Sequence, residues 1–408
     1  MNVNINLKKI TITLMICVSA QVIFAILNPY KYYEIAVSTY IYYCMHFVFG
    51  SLSLTLFSKR KLFTNIGEGN KDGSTRNQKL LAFIYASPCY IALVSSFIFV
   101  RRTGINIQDL RNTFFFGDGS ALPFVFGDIV LYLSLFMGLG YYLLISFITR
   151  YKIYSGKADR DSAMIIGSGL FALDTATAGR MAFFYMALVI ISTSLIFSRS
   201  QARIFSGRVA KRNISIILVI FLLVTSSRIA YDPSGSFLAV LYKYMVGPIY
   251  MMDQGLKDSS GLLHNPEVRL GMSLMTFDWT VIGILKKIGY ELRTLFDISN
   301  NTLAAGYYLN DKGGMNAHFT APFYFVIDYG YMSGAAIFVY SSIILSIYKA
   351  RASAQYHSTI IIFLFFSQML STRENIYNSP TFMFTLFLLI LFPMKSNSFL
   401  SGKVIGKK

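Results

Sequence analysis

Five arginines in this chain stand at the ends of apolar runs, where a charged side chain is costly and needs a reason. They are Arg180 in TATAGR, Arg228 in TSSRIAYDPSG, Arg269 in NPEVRLG, Arg293 in GYELRTLFD and Arg373 in STRENIYNSP. A guanidinium presents a planar fork of donors that matches phosphate oxygens two at a time. Near low-dielectric lipid it also stabilises developing phosphate charge more than it would in bulk water. A diphosphate group at a membrane surface is the chemistry such a set would serve. Each arginine also has a plainer reading. Arg180 could snorkel or cap a tight hairpin. Arg228 has Asp232 four residues on, the spacing of a helical ion pair. Arg269 lies close after Glu267, and Arg293 close after Glu291, as solvated loop charges do. Arg373 leads the group, because Glu374, Asn375, Tyr377 and Asn378 follow it as a dense polar cluster between two strongly apolar runs.

Acid–base chemistry has three candidates. His318 titrates near neutral pH and could act as a general base, although a lone histidine at the end of an apolar run also packs there. Asp232 and Glu374 are carboxylates beside the arginines. His318 belongs to the stretch NDKGGMNAHFTAPFYFVIDYGYMSG, in which a polar, glycine-rich loop with Asn316 runs into an apolar segment carrying Asp328. A carboxylate inside such a segment is expensive unless paired, so Asp328 is either a functional group or a buried partner for an arginine. Asp174, in FALDTATAG, could hydrogen-bond within a helix bundle. His46 reads as packing within its apolar run. Cys17, Cys44 and Cys89 all lie inside apolar runs, which argues against a disulfide framework and for small buried side chains. No two of the four histidines are close enough for a zinc spacing. There is no G-x-x-x-x-G-K-[ST] and no G-x-G-x-x-G between strand and helix, so a nucleotide-driven cytoplasmic domain loses support.

The elements that must position these residues are membrane helices. Of the 408 residues, 54% are hydrophobic and only 14% charged, against roughly 25% charged in an ordinary soluble domain. Apolar runs of about 18 to 23 residues fit a hydrocarbon core about 30 Å thick. The hydropathy predicts an all-α polytopic protein with ten spans, at about 10–28, 35–57, 80–100, 128–149, 163–179, 181–198, 214–231, 323–348, 358–371 and 380–395. The net charge of +18 would suggest a nucleic-acid partner in a soluble protein. Its placement argues otherwise: with both termini on one side, 23 of the 37 basic residues fall on that side, with only Glu68, Asp72, Asp159 and Asp161 among them. The basic excess therefore marks the cytoplasmic face, and nucleic acid is excluded as a partner.

The cytoplasmic loops are too short to hold a catalytic domain. Two external loops remain, at about 101–127 and 230–321. The larger is not simply polar. It contains GSFLAVLYKYMVGPIYMM (235–252) and LGMSLMTFDWTVIGIL (270–285), which read as helices lying in the interface, or as a spanning hairpin that would leave the rest of the topology unchanged. Trp279 and Tyr242, Tyr244, Tyr250 and Tyr290 suit headgroup depth. No internal repeat is visible, which weighs against an inverted-repeat transporter. The whole chain reads as one integral membrane domain.

Together, these features resemble the O-antigen polymerases, the Wzy-type oligosaccharide repeat-unit polymerases. The resemblance rests on cytoplasmic termini, a large external loop in the second half and the Arg228, Tyr231, Asp232 segment. It rests also on Asn316-Ala317-His318-Phe319, on Asp328-Tyr329-Gly330 running to Gly334, and on the last external turn with Arg373. It implies a fold like that of the membrane-embedded GT-C glycosyltransferases and an inner-membrane enzyme with its active site facing the periplasm. Its substrates would be undecaprenyl-pyrophosphate-linked oligosaccharides, with a chain-length regulator as a further partner and no metal or other cofactor. The resemblance implies that Arg228 and Arg373 clamp the donor pyrophosphate during catalysis, with His318, Glu374 or Asp232 as base. Arg180, Arg269, Asp328, Asn316 and Tyr231 would bind the pyrophosphate or sugars. Competing readings are an O-antigen ligase, with the same donor but lipid A core as acceptor, a lipid-linked oligosaccharide flippase, and a membrane acyltransferase, for which His46 would be a poor catalytic histidine.

Overall fold

The computed structural model describes residues 7–57, 75–105, 129–177, 181–197, 215, 237–258, 261–268, 270–290, 293–295, 298–299, 307–310, 313–315, 319–350, 354–373 and 375–392. They form a helical membrane protein. Its long helices are α1 (Leu7–Leu27), α2 (Val37–Phe57), α3 (Thr75–Thr103), α4 (Ile129–Tyr154), α5 (Lys157–Ala176), α6 (Met181–Ile196), α7 (Phe237–Lys257) and α8 (Met275–Lys287). After a short hairpin of β1 (Tyr307–Asn310) and β2 (Gly313–Met315) come α9 (Ala321–Tyr329), α10 (Ser333–Ala350), α11 (Ala354–Ser371) and α12 (Pro380–Leu391). Among the described residues four stretches are long and apolar enough to cross a membrane: Lys9–Leu27, Asn77–Thr103, Leu133–Ile153 and Ala321–Ser346. Met181–Ile196, Thr359–Ser371 and Pro380–Leu391 are apolar but shorter. Of the ten expected spans, the seventh (214–231) lies outside the described residues but for Ser215.

Helix pairing is set by small residues that let backbones approach, as is usual where no hydrophobic force acts between helices in lipid. α3 and α5 run side by side in the same direction, joined by Lys79–Asp161 (3.0 Å) at one end and by Tyr90 Oη donating to Ser168 Oγ (2.6 Å) further along. Between these ties a Cβ on Gly169 would stand 3.1 Å from Ala86 Cα. α4 and α12 also run together: Thr385 Oγ1 donates to the Gly138 carbonyl (3.0 Å), and the Tyr142 hydroxyl donates to the Phe392 carbonyl. α2 and α11 are antiparallel, because the Tyr43 hydroxyl meets the Thr372 carbonyl while Gly50 abuts Gln368.

These directions gather the ends of α1, α5 and α11 with the starts of α2, α6 and α12 at one end of the bundle. The opposite end is ionic. There Arg150 pairs with Asp159 (3.2 Å), and Arg160 pairs with Asp161 (3.2 Å), which also takes Lys79.

Three features depart from the reading of the sequence. The first is α7, expected as a helix lying in or dipping into the interface or as part of a spanning hairpin, whose Val246, Ile249, Met251 and Met252 are fully buried within the protein. It packs on the end of α1, with Tyr242 Oη donating to the Phe24 carbonyl (2.8 Å) and Tyr250 Oη to the Ala25 carbonyl (2.9 Å). These hydroxyls reach carbonyls in the last turn of α1, that of Phe24 also accepting from Asn28 N–H (3.2 Å). By contrast α8 leaves Phe277 and Val281 exposed on one face, as an interfacial helix would. Second, the fold is not purely α. The hairpin pairs Tyr307 with Met315 and Tyr308 with Gly314, and β1 extends to the α1–α2 turn through Tyr33 N–H to the Leu309 carbonyl (2.8 Å). Third, the span expected at 323–348 is present as Ala321–Ser346 but is not one continuous helix: a 3₁₀ turn at Gly330–Met332 joins α9 to α10, and Gly330 has φ +52°, a conformation that favours glycine.

Two expectations follow. Gly169→Leu overpacks the α3–α5 crossing and should cost about 1–3 kcal/mol, read as a lower thermal unfolding temperature in detergent, with Gly169→Ala falling between it and wild type. Burial pushes the Asp159 carboxyl up to about 6 against the partial pull of Arg150. An unfolded aspartate titrates near 3.9, so the folded chain keeps its proton to higher pH. The resulting stability is fully present below about pH 4 and is lost as pH rises through 6. A thermal-unfolding series from pH 5 to 7.5 should therefore fall more steeply for the wild type than for Asp159→Asn.

Candidate functional site

Arg373 follows the last turn of α11, closed by its own N–H to the Leu370 carbonyl (2.8 Å). The preceding residue is fixed from the other side of the bundle. The Tyr43 hydroxyl, fully buried on α2, lies 2.8 Å from Gln21 Oε1 and 3.2 Å from the Thr372 carbonyl, and Gln21 Nε2 donates to the Met245 carbonyl (3.0 Å). α1, α2 and α7 thus meet at the residue that precedes Arg373. Its guanidinium carbon lies 5.4 Å from the Tyr244 ring centre and 6.0 Å from that of Phe184, at the start of α6. Ring faces at this range attract a cation without neutralising it. Among the described residues no carboxylate pairs with Arg373, and its buried Nε has no hydrogen-bond partner. Such a group is suited to an oxyanion in the plane of the fork.

The chain after Arg373 is locked to the large loop by two asparagines. Asn375 Nδ2 donates to the Ser273 carbonyl (3.0 Å) and Asn378 Nδ2 to the Met272 carbonyl (2.9 Å), while Asn378 Oδ1 accepts from Met275 N–H (2.9 Å). Thr276 Oγ1 donates to the Tyr377 carbonyl (3.2 Å). The 3₁₀ turn at Ile376–Asn378 therefore packs against the one at Met272–Leu274.

Asp328 holds that second turn. Oδ1 accepts from Gly271 N–H (3.0 Å) and Met272 N–H (2.9 Å), and Oδ2 from Ser273 N–H (2.7 Å) and Ser273 Oγ (2.6 Å). Successive N–H groups in a turn form a concave anion seat, and Gly271 enters it at φ +120°, open to glycine alone. Among the described residues Asp328 pairs with no arginine. Its four contacts are to residues 271–273, and its role is to shape the loop.

The structure brings Arg373, Asn375, Asn378 and Asp328 into one interlocked region. Arg180, Arg228, Tyr231, Asp232, Arg269, Asn316, His318 and Glu374 lie outside the described residues. Arg293 is exposed and pairs with Glu267 (3.4 Å), which agrees with its reading as a solvated loop charge. Asp174 Oδ2 accepts from Ala182 N–H (2.8 Å), tying α5 to the start of α6. Asp253 is a buried carboxylate that the reading of the sequence missed. It accepts from Ala36 N–H (2.9 Å) and Thr39 Oγ1 (2.7 Å) and pairs with Lys257 (2.5 Å), capping α2. The signal was present as an acid closing an apolar run with a lysine four residues on. Among the described residues no group of three or more His, Cys, Asp or Glu side chains could hold a metal ion.

A comparison of the chain with known protein families, with curated proteins and with solved structures finds no match in any of the three.

Asp328→Asn turns an amide N–H₂ toward a donor of the 271–273 turn, whichever way the side chain is flipped. A buried donor left facing a donor costs about 1–3 kcal/mol, so this variant should unfold at lower temperature in detergent. Asp328→Ala should lose at least as much.

Proposed function

We propose that the chain polymerises lipid-linked oligosaccharide repeat units at the periplasmic face of a bacterial inner membrane. The observation that carries this reading is the Arg373 guanidinium: it stands where helix ends converge, is faced by two aromatic rings, and has no carboxylate partner among the described residues. A cation kept un-neutralised near lipid costs stability, and binding an anionic headgroup offsets that cost. The resemblance of the chain to the Wzy-type polymerases names the headgroup as undecaprenyl pyrophosphate.

In this proposal the donor is a growing glycan on undecaprenyl pyrophosphate. A hydroxyl at the non-reducing end of a new lipid-linked repeat unit attacks the anomeric carbon, forming a carbon–oxygen bond as the bond to the phosphate oxygen breaks. The hydroxyl proton passes to a base, for which His318, Glu374 and Asp232 are the candidates, and undecaprenyl pyrophosphate leaves with the bonding electrons. Arg373 and Arg228, with Arg180 and Arg269, would hold the leaving group, so that its charge is stabilised most in the transition state. The sugar–phosphate bond already stores the energy, so no nucleotide is required. The ionic end of the bundle, with Lys79, Arg150 and Arg160, would face the cytoplasm, together with both termini.

The test is a gene deletion complemented with variants and read as surface polysaccharide on a gel. Deletion should leave core bearing a single repeat unit, whereas bare core would point to a ligase or a flippase. Arg373→Ala should cut polymerisation by about 10²- to 10³-fold, as removal of one oxyanion donor does. Arg373→Lys keeps the charge but loses the bidentate fork and should give less polymer than wild type. Polymer of unchanged length and amount from Arg373→Ala, with the protein present in the membrane, would overturn the assignment.

A further inference from the structure

Among the buried polar side chains that make no hydrogen bond to any described residue are two that stand on the neighbouring helices α2 and α11. His46, on α2, is fully buried with neither Nδ1 nor Nε2 paired, and its ring is flanked by those of Phe47 and Phe325, each at 5.2 Å. Gln368, on α11, is fully buried with neither Oε1 nor Nε2 paired. They share one seam. The Gln368 carboxamide fills the space of the side chain that Gly50 lacks, since a Cβ there would stand 2.5 Å from Oε1. His46 precedes Gly50 by four residues and lies on the same face of α2.

Interior polar atoms are almost always paired, with protein or with ordered water. A direct bond between these two side chains would satisfy one atom of each and leave the second nitrogen of the imidazole and the second polar atom of the amide without partners. The nearest hydroxyl protons on α11 are committed elsewhere, Ser367 Oγ to the Phe363 carbonyl (2.7 Å) and Ser371 Oγ to the Ser367 carbonyl (2.8 Å). Toward Arg373 the seam is capped by Tyr43, whose hydroxyl is taken up by Gln21 and Thr372. A site of this kind, polar and enclosed by apolar walls, is what buried water occupies.

We propose that α2 and α11 enclose an internal water site between His46 and Gln368, with water bridging the imidazole and the carboxamide. The site lies about one turn inside the Tyr43–Thr372 contact. By joining α2 to α11 there, it fixes the register of α11 and with it the position of Arg373. The inference concerns the scaffold and holds whatever the substrate.

The test is water-edited solid-state NMR on the full chain in lipid bilayers, with ring-¹⁵N histidine. The chain has four histidines, and His46→Phe identifies the resonance. Magnetisation from water should reach the His46 ring at a rate within about twofold of that at the exposed His264. Gln368→Leu should slow it several-fold at His46 and leave His264 unchanged, and Gln368→Met serves if the leucine variant does not fold. Transfer to His46 in the wild type as slow as to the buried methyls of Ile360 and Ile361 would overturn the proposal. So would an unaltered rate in a folded Gln368 variant.

Discussion

A carboxylate placed within an apolar segment must find donors nearby, and Asp328 finds four on three consecutive residues. That grip has consequences well beyond its own turn. It bends residues 271–273 into a tight 3₁₀ entry to α8, and the carbonyls and N–H left on that entry are taken up by Asn375 and Asn378. The end of α11 and the start of α12 thereby take their place from a residue in a different helix. An isolated neutral hydrogen bond contributes about 1 kcal/mol, and one to a charged group about 1.5–3. A network whose members are all satisfied specifies one arrangement more strongly than its pairs would separately.

Arg373 stands between two such networks and belongs to neither. Upstream, Thr372 is held by Tyr43 and, through Gln21, by α7; downstream, Asn375 and Asn378 are held by the 272–275 turn. The backbone is therefore fixed on both sides of a side chain whose described contacts are two ring faces. Rings cover the face of a guanidinium and leave its edge for an in-plane partner, whereas a carboxylate would have occupied the edge. Among the described residues the edge of the guanidinium meets no carboxylate, and the backbone on both sides of it is held.

Much of this was legible in the sequence. The runs expected at 35–57, 181–198, 358–371 and 380–395 correspond to Val37–Phe57, Met181–Ile196, Ala354–Ser371 and Pro380–Leu391, because hydropathy and length dominate helix formation in a bilayer. The polar cluster at 373–378 was also visible, since asparagines between two apolar runs have few reasons to be there. What Asp328 does was not legible. Three of its four partners are backbone N–H groups more than fifty residues away, and every residue type but proline supplies those, so no side-chain pattern announces them. The burial of α7 escaped for a similar reason. Tyr242 and Tyr250 suit headgroup depth, yet their hydroxyls are spent on the carbonyls that end α1. Gly330 marked a possible break but could not say whether the chain would turn there.

The two ends of the bundle use their charges differently. At the ionic end Arg150 faces Asp159 while Arg160 and Lys79 share Asp161, so positive charge there is partly offset within the fold and serves to fix α3, α4 and α5. At the end where α11 meets α12, the described aspartates Asp174, Asp253, Asp258, Asp278 and Asp328 are engaged by backbone N–H groups, hydroxyls or a lysine rather than by Arg373. These carboxylates shape the backbone, and among the described residues none of them pairs with Arg373.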